Sequence, residues 1–172
     1  MSSFHNKQNI GILNSKITTY SFSLGMDYLE KNWFYLSSQI GYMKVGGEET
    51  NPRLPDEYKY ISESGSFIHL NTSFRAYLKS SELKFFVGLG PYINVLVSDG
   101  NFDGPEYNQG FTFQKLYAGG RPEIGVTADI NKFRAGLVGS YILSLSPSAS
   151  SEFISLYNNG LSIMATIAYR IK

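Results

Sequence analysis

Apolar and polar residues alternate one by one along most of this chain, which is the pattern of a β-strand with two different faces. From Tyr20 to Tyr28, large apolar residues alternate with Ser, Gly and Asp. The same alternation recurs in six further stretches, which begin at Phe34, Ile68, Phe85, Leu116, Phe133 and Leu161. The sequence therefore predicts an all-β fold with seven long strands.

The links between these strands alternate between short and long. The short links are Leu29–Asn32, Lys79–Glu82 and Asn131–Lys132, and the long ones are Gly46–Gly65, Ser98–Thr112 and Ser146–Asn159. Tight turns at one end and longer loops at the other are typical of an up-and-down antiparallel transmembrane β-barrel. We expect residues 1–172 to form one such domain.

Bacterial single-chain barrels have even strand numbers, so eight strands are expected. A long link should precede Tyr20, and the polar residues His5–Lys16 fit that place. Only Met1–Phe4 then remain for the first strand, so we expect this strand to be largely missing from the chain. Two alternatives are a short substitute strand at Asn9–Leu13 and an edge strand supplied by another chain.

The polar face of the predicted strands consists mostly of small uncharged residues, whereas the outer face of a soluble barrel would need many charges. The apolar face carries aromatic residues near its two ends, where membrane proteins place them at the lipid headgroups. These predicted belts comprise Tyr20, Tyr28, Phe34, Tyr42, Phe85, Phe133 and Tyr169. The pattern therefore favours an apolar face toward lipid, with a soluble ligand-binding barrel as the alternative.

The composition supports the membrane interpretation. Charged residues make up 17% of the chain, below the roughly 25% of typical soluble domains, while aromatic residues make up 15%. No segment approaches the ~20 apolar residues of a spanning helix. A net charge of +1 gives no electrostatic reason to expect nucleic acid as a partner. The absence of Cys excludes disulfides and thiolate metal sites.

Several segments resemble small outer-membrane β-barrel proteins, described as porin-like or as outer membrane protein β-barrel domains. SSF followed by a polar loop resembles that family's exit from strand one, and SFSLGMDY resembles its second strand. GLGPYINVLV and IAYRIK resemble its fifth and closing strands. The resemblance implies an eight-stranded barrel in the outer membrane of a Gram-negative bacterium. Its implied partners are the lipid bilayer, lipopolysaccharide and other outer-membrane proteins.

Several charged residues fall on the polar face, which would point into the barrel. They are Arg75, Arg121, Glu123, Asp129, Arg134 and Arg170, with Lys84 on the same face. Buried charges must pair, because an unpaired one costs several kcal/mol. We expect a charge network that plugs the narrow interior of an eight-stranded barrel. A narrow path for ions or small solutes, as in a porin, is the alternative.

His69 and Ser73 raise the alternative of a lipid-modifying enzyme with a Ser–His arrangement. Four residues along a strand separate them by about 13 Å, too far for a hydrogen bond. Asp99, Asn101 and Asp103 match the first half of a calcium loop, but Gly110 stands where its closing Glu belongs. We therefore predict a non-enzymatic protein without metal or cofactor.

The long link Gly46–Gly65 is the predicted contact surface, because loops on a rigid scaffold often carry recognition. Its acidic and aromatic candidates are Glu48, Glu49, Asp56, Glu57, Tyr58 and Tyr60. The expected function is that of a structural or loop-mediated interaction protein of the outer membrane. Pro91 and Pro122 each remove a backbone donor from a predicted strand, so we expect a β-bulge where the two strands meet.

Overall fold

The computed structural model describes residues 1–5, 13–50, 60–99 and 110–170. The regular structure of these residues is entirely β. The strands are β1 (Ser2–His5), β2 (Ser21–Tyr28), β3 (Phe34–Thr50), β4 (Tyr60–Ser80), β5 (Leu83–Ser98), β6 (Thr112–Phe113), β7 (Leu116–Ile130), β8 (Phe133–Ser144), β9 (Ala149–Ser150) and β10 (Ser155–Arg170). The predicted all-β fold is confirmed, and each of the seven long strands lies where the alternation places it.

The long strands pair with their sequence neighbours in one antiparallel order, β2-β3-β4-β5-β7-β8-β10. The last strand has two further neighbours on its other side. β1 pairs with β10 antiparallel, with Ser2 opposite Gly160, and β2 pairs with it in parallel, with Ala168 opposite Gly25. The parallel contact between β2 and β10 is the exception in an otherwise antiparallel sheet.

The buried and exposed faces of the strands are the reverse of those in a soluble protein. Along β5, Phe85, Val87 and Leu89 are exposed, whereas Lys84 and Asn94 are buried. The apolar face is therefore the exposed one, and the polar face is the buried one.

The predicted link Gly46–Gly65 is wrong in its extent. β3 continues to Thr50 and β4 starts at Tyr60, and their ladder runs without interruption from Val45 opposite Gly65 to Thr50 opposite Tyr60. The predicted link Ser146–Asn159 likewise contains β9 and the first residues of β10. The added residues Gly46–Thr50 of β3 are polar or small on both faces, so they carry no alternation.

The predicted bulge between β5 and β7 is also wrong. Their register is continuous, with Leu89 opposite Pro122 and Pro91 opposite Gly120. The pairings between β4 and β5 instead skip Thr72 and Ser73, which would lie opposite Pro91 and Gly90. Pro91 has no backbone donor, and the ladder between β4 and β5 is interrupted at its position.

The buried face changes character from one end of the sheet to the other. At the end with the short links, called the turn end here, it is charged, whereas at the opposite loop end it is apolar. The apolar cluster consists of Phe4, Leu13, Val45, Phe67, Tyr92, Phe111, Phe113, Tyr117, Ile142, Ala149 and Leu156. β6 and β9 pair with each other there, with Phe113 opposite Ala149, and so bring loop residues into the core.

Candidate functional site

The charged residues of the buried face form two clusters, and the first lies at the turn end around Arg134. The Arg134 guanidinium donates to Asp129 Oδ1 at 2.7 Å, to Asp27 Oδ2 at 3.0 Å and to Glu30 Oε1 at 2.9 Å. Lys84 Nζ donates to Asp129 Oδ2 at 2.8 Å and also to Glu30.

Arg170 completes this turn-end cluster, since its Nη1 lies 2.5 Å from Asp129 Oδ2. Three cations (Lys84, Arg134, Arg170) thus meet three carboxylates (Asp27, Glu30, Asp129). The cluster is electrically balanced, as burial of charges requires.

Aromatic rings enclose the cations of the turn-end cluster. The Arg134 guanidinium lies 4.3 Å from the centroid of the Tyr35 ring, and Lys84 Nζ lies 4.9 Å from that of Tyr77. The face of an aromatic ring attracts a cation, more strongly when water is excluded. Arg134 and Tyr35 are both buried, so the rings contribute to holding these charges away from solvent.

Glu30 lies in the link between β2 and β3, and two opposing effects act on its pKa. Partial burial alone would raise the pKa of this carboxyl group. The hydrogen bond from Lys84 and the charge of Arg134 outweigh burial, so the pKa lies below its ordinary value. The ionised form of Glu30 is therefore stabilised by the folded structure.

The second cluster lies toward the middle of the strands and contains Arg75, Arg121 and Glu123. Arg75 donates Nε to Glu123 Oε1 at 2.9 Å and Nη2 to Oε2 at 3.1 Å, a bidentate pair. The Arg75 guanidinium also lies 4.6 Å from the centroid of the Phe86 ring. Arg121 is farther from the carboxylate, with Nη2 at 3.8 Å from Oε2.

The six charged residues predicted for the interior are thus divided between the two clusters: Arg75, Arg121 and Glu123 in the middle, and Asp129, Arg134 and Arg170 at the turn end. Sequence reasoning missed Asp27 and Glu30 as members. Asp27 occupies a polar position of the β2 alternation, so its inward direction was readable. Glu30 lies in a link without alternation, and no signal identified it.

The His69 and Ser73 side chains each have other partners. His69 Nδ1 lies 2.7 Å from Asn94 Oδ1, and its Nε2 lies 3.2 Å from Arg121 Nη1. The Ser73 hydroxyl accepts a hydrogen bond from Asn71 Nδ2 at 3.2 Å. Both imidazole nitrogens therefore face groups other than a nucleophile, and the absence of enzymatic activity stays a prediction.

The described part of the predicted contact surface belongs to the β3–β4 hairpin. Glu48 and Glu49 lie in β3, and Tyr60 begins β4 with an exposed side chain. A hydrogen bond with Glu48 raises the pKa of Tyr60. Asp56, Glu57 and Tyr58 lie outside the described residues, as does most of the candidate calcium loop after Asp99.

The residues predicted to form aromatic belts lie on the exposed face. Tyr20, Phe85, Phe133 and Tyr169 are exposed, and Tyr28, Phe34 and Tyr42 are half-buried. Neighbouring rings pack against one another, with centroids 5.0 Å apart for Phe34 and Phe74 and 5.8 Å apart for Phe133 and Tyr169. Trp33 contacts Phe34 and Phe74 at the turn end.

Comparison with known proteins found no matching family model, no matching curated protein and no matching solved structure. Among the described residues, no helix is long and apolar enough to cross a membrane. The functional argument therefore depends on the geometry of the chain itself.

Proposed function

We propose that this chain is an integral outer-membrane β-barrel with a plugged polar interior, acting as a structural or loop-mediated interaction component. The observation that carries the proposal is the reversed burial of its strands. Ile163, Leu89 and Val87 are exposed to 80%, 63% and 59%, whereas Arg75, Arg121 and Arg134 are at most 2% exposed.

This arrangement fits lipid much better than water. Soluble monomers rarely expose a contiguous apolar patch larger than a few hundred Å², and here the exposed apolar residues follow every long strand. In the hydrocarbon region every backbone amide and carbonyl needs a partner, which a sheet provides only by closing on itself. The contact of β10 with β2 supports such a closed barrel.

The proposed barrel has eight strand positions. The seven long strands fill seven of them, and β1 takes part of the eighth, between β10 and the segment near Ile17. β1 runs antiparallel to β10, which is the direction an eighth strand needs. The parallel contact between β2 and β10 then marks the part of this position that β1 leaves unfilled.

The interior of the proposed barrel leaves little room for a solute. Three buried arginines and their carboxylate partners cross it at two levels, and the apolar cluster closes the loop end. An eight-stranded barrel is only wide enough for side chains to fill. These features favour a plugged barrel over a porin.

The most prominent surface for partners is the β3–β4 hairpin. β3 and β4 have 17 and 21 residues, compared with 12 in β8, so the hairpin extends the wall at the loop end. Glu48, Glu49 and Tyr60 lie on this extension. Carboxylates there suit a cation-bridged contact with lipopolysaccharide or a basic surface on another outer-membrane protein.

Flotation with lipid vesicles tests the membrane proposal. The chain, refolded from urea with vesicles, is expected to float with the lipid in a density gradient and to resist extraction at alkaline pH. A monodisperse, folded protein that stays in the aqueous phase without detergent would contradict the proposal and favour the soluble ligand-binding barrel.

Conductance across planar bilayers tests the plug. We expect no steady channel openings from the inserted protein, because buried arginines and the apolar cluster fill its interior. A stable conductance that disappears on replacing Arg121 with a larger apolar residue would instead support the small-solute porin.

A further inference from the structure

Arg121 carries a positive charge that its protein neighbours do not neutralise. The short contacts between the Glu123 carboxylate and a cation, at 2.9 and 3.1 Å, are both with Arg75. The nearest approach between Arg121 and this carboxylate is 3.8 Å, longer than a hydrogen bond. The middle cluster therefore contains two cations and one carboxylate, unlike the balanced turn-end cluster.

The hydrogen-bond donors of Arg121 are also incompletely used. Its Nη1 lies within 3.2 Å of acceptor atoms on Gln39, His69 and Asn71. Among the described residues, Nε and Nη2 have no hydrogen-bond partner, although the side chain is only 1% exposed. A buried guanidinium with unsatisfied N–H groups is costly unless an acceptor fills the space beside it.

A small cavity adjoins Arg121 and His69, behind the wall formed by β2 and β10. Its volume is about 20 Å³, and Ser23, Ser162 and Met164 also line it. A cavity of ~10–15 Å³ already has room for one particle of the size of a water molecule. No carboxylate lies among the described residues that line the cavity, so a cation there would meet the charge of Arg121 without an anion to offset it.

We propose that this cavity is a binding site for one small monatomic anion of the halide class, with chloride as the physiological form. Arg121 supplies the charge and the Nε and Nη2 donors, and the hydroxyl groups of Ser23 and Ser162 are placed to donate as well. A water molecule would accept the same hydrogen bonds but would leave the buried charge uncompensated. A volume of about 20 Å³ favours a single small ion over phosphate, sulfate or carboxylate ligands.

A second cavity adjoins this site on the side of the loop end. It has a volume of about 280 Å³ and shares Ser21, Met43, Ile142 and Ser162 with the small one. Lys44 also lines it, and a lysine beside the site raises the local concentration of anions.

Chloride-35 NMR of the protein in detergent micelles tests the proposal. Chloride that exchanges with a protein site has a broadened line, and bromide should reverse the broadening by competition. We expect this behaviour from the natural chain and from Lys132→Gln, which removes one exposed charge from a turn. Arg121→Gln should weaken chloride binding at least about tenfold, a difference of 1.4 kcal/mol.

A second variant keeps the test decisive if Arg121→Gln does not fold. Ser162→Val fills the cavity and leaves the arginine in place, and it should abolish the bromide-reversible broadening. Equal broadening in the natural chain and both site variants, or none above that of empty micelles, would overturn the proposal. The NMR experiment needs only folded protein in detergent, whereas flotation tests insertion into lipid. Failure of the anion site can therefore be distinguished from failure of the membrane proposal.

Discussion

The exposed and buried faces of the same strands place different requirements on their side chains. On β5, Leu89 is exposed and its near neighbour Tyr92 is buried, with the Tyr92 hydroxyl 3.1 Å from that of Ser144. In the proposed membrane location, the exposed face needs only apolar side chains of any shape, because lipid would adapt to them. The buried face needs specific partners, because a buried polar atom without a partner is costly.

Glu123 is the residue whose loss should affect the buried face most strongly. Glu123→Ala leaves Arg75 and Arg121 without a carboxylate, and removing one partner of a buried pair typically costs about 3–5 kcal/mol. Urea unfolding of the refolded protein measures this change in the free energy of unfolding.

The matched control for this variant is Glu152→Ala, which removes an exposed carboxylate and should change stability by less than about 0.5 kcal/mol. Replacing both partners of the pair, as in Arg75→Met with Glu123→Leu, should recover most of the loss. Equal, small effects of Glu123→Ala and Glu152→Ala would mean that the middle cluster does not stabilise the fold.

Leu89→Arg tests the exposed face. If Leu89 lies near the middle of the bilayer, the substitution should cost about 2–4 kcal/mol in lipid, whereas Leu78→Arg near the turn end should cost about 0–1 kcal/mol. Urea titrations in vesicles compare the two variants. Leu78 and Leu89 are both exposed. If water surrounded both side chains, the two substitutions would have small and equal effects on the free energy of unfolding. That result would contradict the placement of the exposed face in lipid.

Acid should weaken the turn-end cluster by a smaller amount. The pKa of Glu30 is lowered on folding, so its contribution is fully present above the unfolded pKa of about 4.3 and is lost as the pH falls through the lower, folded value. Thermal unfolding between pH 6 and pH 3 should therefore show a smaller loss of stability in Glu30→Gln than in the natural chain. Parallel curves would contradict this role of Glu30.

The sequence predicted the strands wherever the two faces differ in polarity. Alternation located β2 from the apolar residues Phe22, Leu24 and Met26. It located β10 from the apolar residues Leu161, Ile163 and Ile167. It failed for the extension of β3 through Gly46–Thr50, where no apolar face exists. It also failed for β6 and β9, because two residues are too short to show a period.

The sequence predicted the face to which the side chains of the candidate site point, but not which of these side chains pair with one another. Alternation directs Arg75, Arg121 and Glu123 to one face, yet the choice of Arg75 as the bidentate partner of Glu123 depends on the register. Arg75 and Glu123 lie opposite the same residue, Gly88, from the two neighbouring strands. An added Cβ at Gly88 would come within 3.0 Å of both side chains, so this glycine makes room for the pair.

The depth of tryptophan fluorescence in brominated lipid tests the membrane account most directly. The chain has a single Trp, Trp33, which is exposed at the turn end. In vesicles, its emission should be quenched best by bromines near the headgroups, whereas Leu89→Trp in a Trp33→Phe background should be quenched best by bromines deep in the acyl chains. Absence of quenching at both positions in the folded protein would contradict the placement of the apolar face in lipid.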